Sequence, residues 1–168
     1  MAELHTLGMR VAILSGDHEH VASAIARQVG IDDRRGGLLP EDKTSAVEGL
    51  RHAYGPVAMV GDGVNDAPAL ASADIGVAMG AAGTDVALET ADLALMADDL
   101  QKLPQAVRLA RRALGNIRQN IALSLVTVAV LVAAALAGRL SLTLGLLLNE
   151  GTALLIIANG LRLRRHPG

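Results

Sequence analysis

The chain has 168 residues, of which 51% are hydrophobic, yet it contains one tyrosine and neither phenylalanine nor tryptophan. Its formal net charge of −2 provides no basic field for nucleic-acid binding, so nucleic acid is excluded as a partner. The lack of cysteine excludes disulfides, thiolate metal sites and cysteine nucleophiles within the chain. From Asn120 to Asn159 only Arg139 and Glu150 are charged, so we expect one part of the chain in water and one in a membrane.

The first two-thirds of the chain alternates short apolar runs with amphipathic stretches, which predicts an α/β fold with a parallel sheet. The N-terminal residues are expected to lead directly into the first strand, without a signal peptide. The expected strands are Val11–Leu14, Val57–Val60, Ile75–Met79 and Leu93–Met96, and the expected helices are His18–Gly30, Lys43–Tyr54, Asp66–Ser72 and Thr84–Glu89.

From about Leu100 the pattern changes to one long helix that is first arginine-rich and then wholly apolar. The apolar runs at 121–137 and 140–158, extended by helix at their ends, are long enough to cross a bilayer, and Gly138 marks a tight turn between them. A pair of buried core helices is the alternative. We therefore expect an α/β part over residues 1–99, a stalk helix over 100–119, membrane helices within 120–163 (about 120–137 and 140–160) and a tail over 164–168.

Arginines lie on both flanks of the expected hairpin. They precede the first apolar run and follow the second, where Arg162, Arg164 and Arg165 occur close together. Positively charged residues favour the cytoplasmic side of a membrane. The expected location is the cell membrane, with two spans and both termini in the cytoplasm.

The segment Gly61-Asp62-Gly63-Val64-Asn65-Asp66-Ala67-Pro68 follows the clearest buried strand. Ligands in open α/β sheets bind at the carboxyl ends of strands, and Mg²⁺ commonly takes one or two carboxylates together with phosphate and water. Asp62 and Asp66 are therefore candidate Mg²⁺ ligands. The alternative is an ordinary turn, since Asp-Gly and Asn-Asp pairs are common in turns.

Two further segments are candidate phosphate contacts. Ser15-Gly16-Asp17 could hold a phosphate through the Ser15 hydroxyl and backbone amides at the start of a helix, although Ser15 or Asp17 could equally cap that helix. Lys43 lies at the start of another helix, where the helix dipole does not favour a cation. Lys43 could therefore face an anion, and the alternative is a solvated surface lysine.

These three motifs, in this order, resemble the haloacid-dehalogenase-like phosphotransferase core of P-type ATPases. The long apolar helix after Thr90-Ala91-Asp92 and the segment Ile117-Arg118-Gln119-Asn120 narrow the resemblance to that family. The segment Ala158-Asn159-Gly160-Leu161-Arg162-Leu163 is similar to its heavy-metal branch. The resemblance implies a partial Rossmannoid domain, the C-terminal part of a phosphorylation domain, followed by a transmembrane hairpin. It also implies that Asp62 and Asp66 hold Mg²⁺, that Asn65, Lys43 and the Ser15-Gly16-Asp17 turn contact the phosphoryl group, and that ATP is used through another part of the pump.

The family forms its aspartyl phosphate on an Asp-Lys-Thr-Gly-Thr motif, which this sequence does not contain. Asp42-Lys43-Thr44-Ser45 lacks the glycine and belongs to the lysine motif instead. The chain is therefore expected to begin partway through the phosphorylation domain and to be inactive alone. The remainder of a split ATPase is one expected partner that would complete it. The alternatives are a non-catalytic subunit and, less favoured without the nucleophile, a membrane-anchored phosphatase.

Asn149 and Glu150 interrupt the second apolar run. A charge near the bilayer centre costs about 2.5–3.5 kcal/mol on insertion scales, so such a residue normally faces a pathway or a partner. The resemblance implies that this stretch binds the transported metal, a divalent ion of the Zn²⁺, Co²⁺ or Cd²⁺ class. The alternative is that Glu150 only makes hydrogen bonds to neighbouring helices.

Overall fold

The computed structural model describes residues 1–62, 65–79, 90–95 and 99–165, and the chain divides into two compact units, Met1–Pro104 and Gln105–Gly168. The first unit alternates short strands and helices. In chain order these are α1 (Ala2–Thr6), β1 (Ala12–Leu14), α2 (Glu19–Val29), β2 (Asp33–Arg35), α3 (Pro40–Tyr54), β3 (Ala58–Gly61), α4 (Ala67–Ser72), β4 (Ile75–Met79) and β5 (Leu93–Leu95).

All strand pairings in the described residues are parallel, as expected, but the strands form two separate sheets. One sheet has the order β1-β2, and the other has the order β3-β4-β5. Leu14 of β1 packs against the core cluster that includes Val47 of α3 and Met59 of β3. Within the described ranges, however, no backbone hydrogen bond joins β1 to β3, so each of these strands has one edge without a partner strand.

The strand at Ile75–Met79 is confirmed, and the other expected elements that lie in the described residues are confirmed with small shifts. The expected helix at 84–89 and Met96 of the last strand lie outside the described residues. The expectation of no helix before the first strand is wrong, because Ala2–Thr6 forms a single turn too short to show periodicity. Strand β2 was not expected, because Asp33, Arg34 and Arg35 give no apolar signal.

Helix α3 begins three residues earlier than expected. Pro40 occupies its first turn, where proline needs no hydrogen-bond partner for its nitrogen. The Asp42 Oδ2 accepts a hydrogen bond from the Leu39 N–H at 3.0 Å, which places an acid at the helix start in accord with the helix dipole. Lys43 therefore follows the first turn rather than opening the helix.

An ion pair on the surface ties α3 to the sheet. Arg51 Nε donates to Asp74 Oδ2 at 3.1 Å, and the Val57 N–H donates to the same oxygen at 2.8 Å. The hydrogen bond from Val57 lowers the pKa of Asp74, and the hydrogen bond and positive charge of Arg51 lower it further. Partial loss of hydration raises the pKa, but by less than these interactions lower it. Asp74 is therefore a carboxylate whose charged form is favoured by the fold.

The second unit is a helical hairpin. Helix α5 (Lys102–Leu136) begins at the boundary of the two units, and α6 (Leu142–Leu161) continues into a short 3₁₀ helix, Arg162–Arg165. Both helices are long and apolar enough to cross a membrane, with mean hydropathies of 2.1 and 1.5, and the apolar stretch of each is unburied within the chain. Gly138 has a φ of 67°, a left-handed conformation that suits glycine at this expected turn.

Two polar ties show that the hairpin helices run antiparallel. Thr127 and Thr152 have their hydroxyl oxygens 3.1 Å apart, and Asn116 Nδ2 donates to the Asn159 carbonyl oxygen at 2.8 Å. Because later residues of α5 contact earlier residues of α6, the two helices run in opposite directions. The helices α5 and α6 are thus connected by hydrogen bonds as well as by their turn.

Candidate functional site

The candidate site in the first unit centres on an ion pair between Lys43 and Asp66. The Lys43 ammonium donates to Asp66 Oδ1 at 2.6 Å, and the two side chains are only 13% and 15% exposed. Helix α3 supplies the lysine, and the loop between β3 and α4 supplies the aspartate. Lys43 therefore does face an anion, and in the described structure that anion is the carboxylate of Asp66.

Gly61, the last residue of β3, makes room for the Asp66 side chain. A Cβ at position 61 would lie 2.6 Å from Asp66 Oδ2 and 2.7 Å from its Cβ, closer than real contacts allow. The carboxylate therefore lies directly against the strand end, with one oxygen on Lys43 and the other over Gly61. This close approach needs glycine for space rather than for an unusual backbone angle.

The Ser15-Gly16-Asp17 segment forms a compact turn at the end of β1. The Asp17 N–H donates to Ser15 Oγ at 3.1 Å, and the Ser15 hydroxyl donates to Asp17 Oδ2 at 3.2 Å. Neither side chain caps α2, whose N-cap is His18 without a side-chain hydrogen bond, so the capping alternative is wrong. The Ser15 hydroxyl is half-buried and linked to a carboxylate instead.

Asp62 and Asn65 are exposed beside this site. Asp62 follows Gly61 directly and makes an interaction of its own, while Gly63 and Val64 lie outside the described residues. No group of three or more His, Cys, Asp or Glu side chains suited to a metal occurs within the described ranges. Asp62 and Asp66 could nevertheless hold Mg²⁺, which needs only one or two carboxylates when phosphate and water complete its shell.

In the second unit, Asn149 and Glu150 are exposed on α6. Across the part of the chain that the structure describes, Glu150 makes neither an ion pair nor a hydrogen bond through its side chain. Two residues further along, Thr152 is tied to α5 through Thr127. The hairpin by itself thus leaves the Glu150 carboxylate without a counter-charge.

A cluster of side-chain amides joins the other end of the hairpin. Asn159 Nδ2 donates to Asn116 Oδ1 and to Asn120 Oδ1, each at 2.9 Å, and Asn120 Nδ2 donates to Asn116 Oδ1 at 3.0 Å. The weaker contact from Asn159 Nδ2 to Gln119 Oε1 is 3.4 Å. These hydrogen bonds join the middle of α5 to the end of α6.

Comparison with known proteins gives one family model over the first part of the chain and relatives over nearly all of it. A family model described as haloacid dehalogenase-like hydrolase matches residues 1–74. The chain is 50% identical to a "Probable cadmium-transporting ATPase" of Listeria monocytogenes over 163 residues, and this alignment covers 96% of the chain. It is 47% identical to the zinc-transporting ATPase of Bacillus subtilis over 163 residues, and that alignment covers 97% of the chain. The chain corresponds to a C-terminal segment of heavy-metal P-type ATPases.

A solved structure extends this likeness to three dimensions. The crystal structure of a zinc-transporting PIB-type ATPase in its E2.Pi state matches 96% of the chain at 48% identity, with a TM-score of 0.89. The chain spans 23% and 25% of the two curated relatives and 26% of the solved chain. It is therefore comparable to about a quarter of a heavy-metal P-type ATPase.

Sequence reasoning selected Lys43 and Asp66 as site candidates but missed that they pair with each other. The contact between Lys43 and Asp66 spans two motifs, and no local pattern indicates it. The amide cluster was also missed as a contact, although Gln119, Asn120 and Asn159 belong to segments that carry the family resemblance. The signal that could have indicated this contact is that polar residues occur at the ends of both apolar runs.

Proposed function

We propose that this chain supplies the Mg²⁺ and phosphate site, and part of the transported-metal site, of an ATP-driven pump for divalent heavy-metal ions. The observation that carries the proposal is the Lys43–Asp66 pair at the carboxyl end of β3, in a chain that continues into an apolar hairpin. The pump lies in the cell membrane, with residues 1–99 and both termini on the cytoplasmic side.

The chain's own residues have distinct parts in phosphoryl transfer. P-type ATPases and haloacid-dehalogenase-like domains generally use Mg²⁺ and ATP. Asp62 and Asp66 would hold the ion, which when bound neutralises charge on a phosphoryl group. The Lys43 ammonium lies next to Asp66 and can turn toward a phosphate oxygen. The Ser15 hydroxyl, which donates to Asp17, can donate to a phosphate oxygen instead.

The remaining two site residues act through position. Asn65 is exposed at the start of the turn into α4 and presents a neutral amide beside Asp66. Gly16 follows Ser15, and a Cβ there would lie 3.3 Å from the Leu38 carbonyl oxygen, so a larger residue would press on the turn. In this proposal the Asn65 amide and the turn that contains Gly16 both contact the phosphoryl group.

The acceptor aspartate has to come from outside this chain. The open edges of β1 and β3 support this, since a strand from the remainder of the pump would find hydrogen-bonding groups on both. Asp42 does not replace the acceptor, because its carboxylate holds the Leu39 N–H at the start of α3. The isolated chain should therefore retain no acid-stable label from radioactive ATP, and label on Asp42 would contradict the proposal.

The transported ion is the substrate of the second unit. Asn149 and Glu150 present an amide oxygen and a carboxylate on an exposed face of α6, at a depth where an uncompensated charge is unfavourable by about 2.5–3.5 kcal/mol. A divalent cation of the Zn²⁺, Co²⁺ or Cd²⁺ class would compensate that charge. Thr152, tied to Thr127, fixes the rotation of this stretch relative to α5.

The test uses an intact pump that contains this segment. Glu150→Gln keeps the size of the side chain but removes its charge, so metal-stimulated ATP hydrolysis and transport should both fall, while phosphorylation by inorganic phosphate should persist. Asp62→Asn should abolish phosphorylation from either direction. Glu48→Gln, the same change at an exposed position of α3, is the control. Unchanged turnover of Glu150→Gln with Zn²⁺, Co²⁺ and Cd²⁺ would remove Glu150 from the metal site.

A further inference from the structure

An open cavity lies on the hairpin beside its amide cluster. The cavity has a volume of about 460 Å³ and is lined by residues of α5 and of the end of α6, among them Leu109, Arg112, Asn116, Gln119, Asn159 and Arg162. Its wall therefore combines two guanidinium groups with three carboxamides. None of these residues belongs to the Mg²⁺ site or to the transported-metal site.

Among the described residues, the two arginines of this cavity have no counter-charge. In the described ranges, neither Arg112 nor Arg162 takes part in a hydrogen bond or an ion pair through its side chain. From Gln105 to Gly168 the sequence contains eight arginines and a single acid, Glu150. Glu150 precedes Arg162 by about 18 Å of helix at the usual rise per residue, so it cannot pair with this arginine.

Of the amide oxygens at the cavity, Asn159 Oδ1 accepts no hydrogen bond in the described structure, whereas the others are already engaged as acceptors. Asn116 Oδ1, Asn120 Oδ1 and the Asn159 carbonyl oxygen all accept hydrogen bonds within the cluster. Gln119 accepts through Oε1, and nothing in the described structure accepts a hydrogen bond from its Nε2. Two guanidinium groups and a free carboxamide N–H form a donor set that suits a phosphate, which arginine can bind through two parallel hydrogen bonds.

The cavity lies at the boundary between polar and apolar sequence on both helices. On α5 the arginines end at Arg118 and the apolar run begins at Ile121, and on α6 the apolar run ends at Leu161 with Arg162 next. If the hairpin crosses a bilayer, this boundary lies at the level of the lipid headgroups. Ile117 and Ile121, 52% and 54% exposed, provide apolar surface where acyl chains would lie.

We propose that this cavity binds the phosphate of an anionic phospholipid headgroup, held by Arg112 and Arg162 with the Gln119 amide. The inference rests on the membrane placement of the hairpin and not on any transported ion, so it can fail while the pump function stands. A bound headgroup would supply the negative charge that the hairpin lacks. It would also hold α5 and the end of α6 together at the side where the amide cluster joins them.

The full chain, reconstituted in nanodiscs of phosphatidylcholine with a minor share of phosphatidylglycerol, provides the test. After extraction into mild detergent, native mass spectrometry should show retained phosphatidylglycerol in excess of its share. Arg112→Gln and Arg162→Gln should each weaken that retention by more than about tenfold, because each loses a charge-assisted contact to the phosphate in addition to the roughly fivefold effect of any basic residue at an anionic surface. Arg118→Gln is the matched control, because it removes the same charge from α5 without lining the cavity. Circular dichroism checks that each variant keeps its helices.

Three results would overturn the proposal. One is retention of the two lipids in proportion to their supply. Another is a loss in Arg118→Gln as large as in the cavity variants, since general attraction to the surface would then explain the binding. The third is displacement of phosphatidylglycerol by an equal concentration of inorganic phosphate, which would identify a soluble anion as the occupant. Retention that falls only in Arg112→Gln and Arg162→Gln, and resists inorganic phosphate, supports the lipid site.

Discussion

Replacing Lys43 with methionine tests whether the site is held together by its ion pair. The change removes the ammonium group and keeps an unbranched side chain, so Asp66 loses its only described cation at 2.6 Å. Removing one partner of a fully buried pair costs about 3–5 kcal/mol, whereas exposed pairs contribute about 0–1 kcal/mol. At 13% and 15% exposure this pair lies nearer the buried case, so we expect a loss of about 2–3 kcal/mol at neutral pH.

The assay should report on the first unit alone, because the hairpin is a separate unit that the Lys43–Asp66 pair does not belong to. Hydrogen exchange of the peptides that contain Val47 and Leu70, both fully buried in the core, measures the local free energy of unfolding in the full chain in detergent. The double variant Lys43→Met with Asp66→Asn completes a thermodynamic cycle. A coupling of about 1–3 kcal/mol between the two positions is expected if they act as a pair.

Arg51→Met serves as the comparison. Arg51 pairs with Asp74 at 3.1 Å, but these side chains are 40% and 38% exposed, so the loss should be smaller than for Lys43→Met. Additive effects of the two site changes, within about 0.5 kcal/mol, would show that Lys43 and Asp66 are neighbours without being a unit. An effect of Lys43→Met no larger than that of Arg51→Met would refute the argument from burial.

Three other changes have defined outcomes. Gly61→Ala places a methyl group against Asp66 and should weaken Mg²⁺ binding by the intact pump in calorimetric titration, whereas Gly49→Ala, with open space around its added carbon, should not. The lowered pKa of Asp74 means that its stabilisation is present at neutral pH and is lost only as pH falls through that pKa, so Asp74→Asn should flatten the acid side of the unfolding-midpoint profile. Asn159→Ala removes the amide that joins the hairpin ends, and spin labels on the two helices should report a wider distance distribution.

Much of the α/β unit could be predicted because its signals are local. Ile75–Met79 is a short apolar run between turn residues, and a parallel sheet that is covered on both faces produces such runs. Strand β2 carries Asp33, Arg34 and Arg35, and a charged three-residue edge strand has no period that a sequence can reveal. The hairpin was predictable for a different reason, since length and hydropathy alone define it.

The candidate site was predictable as a set of residues but not as a geometry. Glycine, aspartate and lysine at strand and helix ends indicate phosphate and Mg²⁺ chemistry from their positions alone. That Lys43 would meet Asp66, 23 residues away, depends on how α3 packs over β3. The role of Ser15 could not be predicted for the same reason. The sequence allows Ser15 either to cap α2 or to form a turn with Asp17, and the folded structure shows the turn.

The two kinds of strand edge in the first unit have different consequences for the chain's behaviour in solution. The outer edge, β2, is charged along its whole length, and charged edge strands resist pairing with other chains. The inner edge, β1, is Ala12-Ile13-Leu14 without a charge, and its far side has no partner strand in the described residues. The open edge of β3, Ala58–Gly61, is uncharged as well. When this chain is produced alone, its self-association should therefore proceed through the open edges of β1 and β3, and short peptides that occupy them should keep it soluble.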